Sequence, residues 1–122
     1  MKKDLPLPKD GAVFYEDDKL YATLANFPIT KGHTVIVWKR KVKDLHLLKK
    51  DEYKHLMRIV NKTRNSMLKI LKVKKVYLIY MDETEHVHWH LIPRYNKKGL
   101  NVLEDKPKKL KDIELTKRLK WK

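Results

Sequence analysis

The 122-residue sequence contains no cysteine. Without thiols the chain cannot form disulfides, thiolate zinc sites or a cysteine nucleophile, and nothing in it indicates an oxidising compartment. Its three glycines, Gly11, Gly32 and Gly99, are too scattered for a glycine-rich loop that binds phosphate. Its single serine, Ser66, lies in a helical pattern rather than on the exposed turn that a serine nucleophile usually occupies. These absences exclude several common enzyme classes.

Long apolar runs are also missing. No stretch approaches the roughly 18 consecutive apolar residues of a membrane span, and residues 1–10 lack the apolar core of a signal peptide. We therefore expect a cytoplasmic protein with no membrane partner. The length fits one domain, and a hydrophobic content of 42% is enough to form a core despite 37% charged residues.

The charge is strongly positive and unevenly distributed. Thirty basic residues against fifteen acidic ones give a formal net charge of +15. Residues 31–75 hold fifteen basic and three acidic groups, and residues 97–122 hold ten and four. Such a field attracts polyanions, including nucleotides and nucleic acid. The alternative is that most of these lysines form an ordinary solvated surface.

Apolar periodicity predicts an α+β domain. Strand patterns occur at 12–15, 20–24, 33–38, 76–81 and 86–95. Between the third and fourth lies a helical stripe of about 22 residues, for which Asp51 is the expected N-cap. We expect a mainly antiparallel five-stranded sheet with this helix packed on it, a turn at 82–85, and Pro93 ending the last pairing. A short helix is predicted within 112–121.

Three of the six histidines fall within five residues, in the run His86-Val87-His88-Trp89-His90. On a strand the three imidazoles would share one face, which we expect to be exposed, while the apolar residues between them enter the core. Imidazole suits nucleophilic and acid–base work because its ordinary pKa is about 6.5.

Two other interpretations of this row stay open at this point. A zinc site is one, although the outer rings of an i, i+4 pair on a strand lie about 13 Å apart. The other is a structural row whose rings are satisfied by backbone or water. His46 and His55 lie on turn or helical segments and are interpreted as structural or surface groups.

The run from His86 to Ile92, extended by Pro93-Arg94, resembles the histidine triad signature of the HIT superfamily, in which three histidines alternate with apolar residues. Residues 27–37, with a proline before Gly32-His33 and an apolar strand, resemble the family's upstream stretch. The resemblance covers residues 11–101, the expected HIT-like catalytic domain. Residues 102–122 form a basic C-terminal extension.

The resemblance implies a nucleotidyl hydrolase or transferase similar to the diadenosine-polyphosphate and phosphoramidate hydrolase branches. His88 would attack the α-phosphorus, and the backbone carbonyl of His86 would fix its tautomer. The side chain of His86 would support the row, while His90 and His33 would contact phosphate oxygens and assist the leaving group. No cofactor is required, although a divalent metal could arrive with the substrate. A homodimer is also implied.

The segment before the triad departs from the family pattern. Three carboxylates, those of Asp82, Glu83 and Glu85, would repel a polyphosphate unless cations such as Lys31 or Arg40 neutralise them. Thr84 carries the one hydroxyl group of residues 82–85. Asn26, beside the position where relatives grip the ribose, and Phe27 complete the expected substrate-binding residues, which are Asn26, Phe27 and Thr84. The rival interpretation is a nucleotide- or nucleic-acid-binding module without turnover.

Overall fold

A computed structural model of the chain describes residues 5–104, 106–111 and 113–121. Its five strands are β1 (Val13–Glu16), β2 (Leu20–Leu24), β3 (Thr34–Trp38), β4 (Lys75–Ile79) and β5 (His88–Arg94). Its helices are α1 (Lys50–Leu71) and α2 (Glu114–Leu119), with short 3₁₀ turns at Leu45–Leu47 and Gly99–Glu104. The strands form one antiparallel sheet in the order β1-β2-β3-β5-β4. The predicted α+β class and five-stranded sheet are confirmed.

The pleat of the sheet separates an apolar face from the face that carries the histidines. Val37 pairs with His88 and Val35 with His90. Because side chains alternate along a strand, these residues share a face. The other face, which includes Ile36 and Leu91, joins the buried core cluster together with residues of α1. The long helix therefore covers one side of the sheet and leaves the histidine side to other segments.

Helix α1 has the expected 22 residues but begins one residue earlier than predicted. Its N-cap is Lys49, and the Glu52 carboxylate accepts a hydrogen bond from the Lys49 N–H at 2.9 Å. The prediction that Asp51 caps the helix was wrong. Asp51 instead lies in the first turn, where a carboxylate interacts favourably with the helix dipole. No helix in the described part of the chain is long and apolar enough to cross a membrane.

Pro93 does not end the pairing of β5, because it pairs with Val76, and Arg94 continues the ladder. The Pro93 carbonyl accepts a hydrogen bond from the Thr30 hydroxyl on the β3 side, at 2.9 Å. In an antiparallel strand, the nitrogen of a residue points to the same side as its carbonyl. β3 begins only at Thr34, which pairs with Leu91, so a missing N–H at position 93 interrupts no ladder bond.

The C-terminal extension packs against the core. Leu110, Leu115 and Leu119 belong to the buried cluster, and Trp121 stacks on Tyr15 with ring centroids 4.4 Å apart. The predicted short helix is present as α2, while Asp112, where we expected it to start, lies outside the described residues. The apolar residues of this basic extension therefore contribute to the same core as the sheet.

Candidate active site

The sheet brings three of the predicted histidines together. β5 carries His88 and His90, and His33 lies directly before β3, with its ring 5.2 Å from that of His90. His86 lies before β5 rather than on it, because the Val87 N–H donates to the Val42 carbonyl instead of continuing the ladder. The predicted row of three histidines on one strand was wrong in this respect.

These rings are not on an exposed face. His88 and His33 are each only 4% exposed. A cavity of about 230 Å³ lies against them, and its remaining wall comes from β2, β3, the loop between them and the N-terminal segment that includes Leu5, Pro6 and Pro8. The expectation of exposure was wrong because residues 5–8, interpreted from the sequence as a loose lead-in, cover this side of the sheet. Their prolines favour extended backbone but give no sign of where it docks.

The position of the proton on His88 follows from its contacts. Its Nδ1 lies 2.8 Å from the backbone carbonyl of His86, which can only accept a hydrogen bond. The proton of the neutral ring therefore sits on Nδ1, and the lone pair is on Nε2. No group in the described part of the chain forms a hydrogen bond with Nε2. His88 thus has the tautomer of a nitrogen nucleophile.

A second chain of hydrogen bonds fixes the other two rings. The Ile29 N–H donates to His33 Nδ1 at 3.1 Å, so the proton of neutral His33 is on Nε2. His33 Nε2 lies 3.0 Å from His90 Nδ1 and donates to it. The proton of neutral His90 is therefore on Nε2. The backbone N–H of Ile29, which sequence reasoning missed and no side-chain signal could have revealed, sets both tautomers.

The rings of His33 and His90 are both neutral at physiological pH. Burial, with a smaller effect from the neighbouring His90, lowers the pKa of His33 to about 3. Burial, with a smaller effect from His88, lowers the pKa of His90 to about 4. His90 can donate a hydrogen bond through Nε2. Both nitrogens of His33 form hydrogen bonds, to Ile29 and to His90, so this ring orients His90, and its contact with phosphate stays a prediction.

The segment before β5 turns one of its carboxylates inward. The side chain of Asp82 is only 3% exposed and accepts hydrogen bonds from the Thr84 N–H and hydroxyl, both at 2.7 Å, and from the His86 N–H at 2.9 Å. Burial alone would raise the pKa of Asp82, but these hydrogen bonds and nearby His88 lower it. Arg40, one of the two cations that could neutralise this segment, forms a bidentate pair with Glu52 instead.

The three predicted substrate-binding residues are placed differently from one another. Phe27 lines the cavity and is 60% exposed. Asn26 also lines it, but its amide donates a hydrogen bond to the Leu7 carbonyl at 2.9 Å and accepts one from the Lys9 N–H at 3.1 Å. Thr84 lies outside the lining and gives its hydroxyl to Asp82. The Asn26 amide thus holds the N-terminal segment and the Thr84 hydroxyl holds Asp82, and their binding of substrate stays a prediction.

The remaining histidines lie elsewhere. His86 Nε2 forms a hydrogen bond with the Trp38 carbonyl at 2.5 Å, and His86 does not line the cavity. His55 bonds Asp17 at 2.8 Å, and His46 is exposed beside Asp44. Across the described residues, no group of three or more His, Asp or Glu side chains is arranged to hold a metal ion.

Comparison with known proteins agrees with this geometry. The family model of the HIT domain matches residues 8–97. An uncharacterized HIT-like protein of Methanocaldococcus jannaschii is 33% identical over 92 residues, covering 71% of this chain and 71% of that protein.

Solved structures share the fold. A hypothetical histidine triad nucleotide-binding protein of Sulfolobus tokodaii aligns with a TM-score of 0.70 at 22% identity, covering 88% of this chain and 79% of that one. Diadenosine triphosphate hydrolase of Plasmodium falciparum aligns with a TM-score of 0.70 at 19% identity, covering 88% and 70%. At these identities the similarity shows a common fold.

Proposed function

The chain belongs to the HIT domain family, and we propose that it cleaves a nucleoside monophosphate from a dinucleoside polyphosphate or phosphoramidate through a nucleotidyl-histidine intermediate. The observation that carries this proposal is His88, whose Nδ1 is held by the His86 carbonyl while Nε2, beside a cavity, has no hydrogen-bond partner among the described residues. A buried, oriented imidazole with a free lone pair is suited to nucleophilic attack.

The reaction takes place in two displacements. His88 Nε2 forms a bond to the α-phosphorus, and the bond from phosphorus to the leaving group breaks with its electron pair. Water then attacks the same phosphorus and loses a proton to solvent, the P–N bond breaks, and its electron pair returns to Nε2. If a second nucleophile replaces water, the enzyme is a transferase. The His90 Nε2–H donates to a phosphate oxygen and stabilises its developing charge.

The tautomer of His90 favours one of the two substrate classes. Neutral His90 would become an anion if it gave up its Nε2 proton. It therefore donates a hydrogen bond and does not protonate the leaving group. A nucleoside polyphosphate leaves as a stable anion without taking a proton, whereas an amine takes one from solvent. We therefore expect dinucleoside polyphosphates to be cleaved faster than phosphoramidates.

The cavity has the size and lining for one nucleotide base. At about 230 Å³ it lies below the usual range for a drug-sized ligand, so it would hold one base while the remaining phosphates extend outward. Apolar side chains dominate its wall, including Leu24, Val35 and Phe27. We expect no metal cofactor, although a divalent cation could accompany the phosphates of the substrate.

The direct test compares His88→Ala with His46→Ala, which replaces an exposed histidine away from the cavity. Both variants and the parent protein are assayed with diadenosine triphosphate, diadenosine tetraphosphate and adenosine phosphoramidate. We expect turnover in the parent and in His46→Ala, and a loss of at least about 1,000-fold in His88→Ala. Full activity of His88→Ala would refute nucleophilic catalysis.

A second candidate function, binding of nucleic acid, is favoured by a basic groove between α1 and α2. The groove has a volume of about 490 Å³ and is lined by Lys62, Lys69, Arg118, Lys120 and Trp121 among others. Basic side chains beside an aromatic ring are typical of single-strand binding. If this is the function, salt-sensitive RNA binding survives replacement of all three triad histidines and is lost when these lysines are replaced by alanine.

We also propose a homodimer formed through β4, which is an edge strand of the sheet. Leu78 on this strand is 41% exposed and Met81, two residues beyond its end, is 62% exposed. An exposed apolar edge is a ready pairing surface. Light scattering after gel filtration is expected to give a dimer mass for the parent protein and a monomer mass for Leu78→Glu. A monomeric parent protein would refute the homodimer.

A further inference from the structure

We infer that Asp82 is a positioning residue that stabilises the positive charge on the imidazole of His88 when its Nε2 is bonded to phosphorus. This inference rests on the proposed function. Asp82 Oδ1 lies 3.7 Å from His88 Nδ1, on the side of the ring away from the free Nε2. The carboxylate therefore faces the nitrogen that keeps its proton throughout the reaction.

The turn before β5 holds the carboxylate in this place. Asp82 receives three hydrogen bonds from Thr84 and His86, and its side chain is almost completely buried. A carboxylate fixed in this way does not reorient when charge appears on the ring, so its stabilisation is available at the moment of reaction. The same hydrogen bonds keep Asp82 ionised despite burial.

The chemistry of the intermediate explains why a negative charge is useful there. Neutral His88 carries one proton on Nδ1 and a lone pair on Nε2. When Nε2 bonds to phosphorus and Nδ1 keeps its proton, the ring becomes a cation, while the His86 carbonyl supplies only a dipole. A carboxylate at 3.7 Å lowers the energy of this cation and of the transition state that leads to it.

The other groups around this pair do not take over the role. His86 offers its backbone N–H to Asp82 and directs its ring to Trp38. Tyr80 is neutral, because burial, with smaller effects from Asp82 and Asp44, raises its pKa to about 12. His90 is also neutral, because burial lowers its pKa to about 4. Within the described residues, Asp82 is the carboxylate paired with the His88 ring.

This arrangement also accounts for one of the three carboxylates that conflict with phosphate binding in the sequence. Three carboxylates before the triad would repel a polyphosphate if they pointed at it. One of them, Asp82, points instead at the protonated side of the nucleophile, whereas Glu83 is exposed. The departure from the family pattern therefore places a negative charge behind the nucleophile rather than in front of it.

The test separates formation of the adduct from its breakdown. Asp82→Asn and Asp82→Ser both remove the charge, and each keeps an acceptor for the Thr84 N–H. Glu83→Gln removes an equal charge from an exposed neighbour and is the matched control. Rapid quench with diadenosine triphosphate gives the two rate constants and the fraction of active sites, and thermal melts show whether each variant is folded.

We expect adduct formation to slow by about 100-fold in both Asp82 variants, while breakdown stays the same or becomes faster because the ring is a better leaving group. Glu83→Gln should match the parent protein. A purely structural role would lower the melting temperature and the fraction of active sites with the two rate constants unchanged, and would overturn the inference. The same conclusion follows if Asp82→Ser folds and forms the adduct at the parental rate.

Failure of the proposed function gives a different pattern. If the parent protein forms no adduct and turns over no substrate, both the function and the role of Asp82 are refuted. If the parent protein forms the adduct and the Asp82 variants behave like Glu83→Gln, only the role of Asp82 is refuted.

Discussion

Acidification should destabilise the protein between pH 7.5 and pH 5 through its two buried, neutral histidines. The pKa of His33 is about 3 and that of His90 about 4, against about 6.5 in the unfolded chain. Below pH 6.5 the unfolded chain therefore binds protons that the folded protein does not, and the free energy of unfolding decreases as the pH is lowered. At pH 5 each histidine accounts for a loss of about 2 kcal/mol, or about 4 kcal/mol together.

Urea unfolding at several pH values measures this loss and assigns it to the two rings. His33→Gln removes one titrating group and keeps an amide that can donate to His90, so about half of the loss should disappear. His46→Gln, at an exposed site, should leave the pH dependence unchanged. If His33→Gln shows the full parental loss between pH 7.5 and pH 5, burial does not keep His33 neutral and the assigned tautomers are wrong.

Three further predictions concern stability and the cover of the cavity. Asp17→Asn should lower the free energy of unfolding by about 2 to 4 kcal/mol at pH 7, because the carboxylate accepts hydrogen bonds from four groups. Below pH 2 the variant and the parent protein should differ little in urea unfolding, since the pKa of Asp17 is about 2. Equal losses at both pH values would contradict this. Asn26→Ala should speed hydrogen exchange or proteolysis of residues 5–9, and an unchanged rate would show that its amide does not hold this segment. Leu119→Ala should destabilise by about 2 to 5 kcal/mol, against a negligible effect for exposed Leu100→Ala, and equal stabilities would show that α2 is not part of the core.

Much of the fold was readable because the core-forming pattern is strong. The apolar runs at 20–24 and 33–38 predict buried strands and the three- and four-residue spacing in α1 predicts a helix, and both signals are local in the sequence. Element ends were less accurate. The start of α1 depends on a hydrogen bond between the Lys49 N–H and the Glu52 side chain. Pro93 can remain within β5 because β3 begins only opposite Leu91.

The histidines themselves were identified from their spacing, but their environment was not. Burial of His88 depends on residues 5–8, which lie far from it in sequence and carry no periodic signal. The orientation of His33 depends on a backbone N–H, and Asp82 could be interpreted only as a negative charge near phosphate. Such long-range contacts appear only when the folded chain is known.

The central claim is most directly tested by locating the reaction intermediate. The protein is mixed with diadenosine triphosphate, quenched within milliseconds under alkaline conditions that preserve phosphoramidates, digested, and mapped by mass spectrometry. The account predicts one adenosine monophosphate group on the peptide that contains His88, bonded to that residue, with none on His86 or His90. Turnover of substrate with no adduct, or an adduct at any other residue, would contradict it.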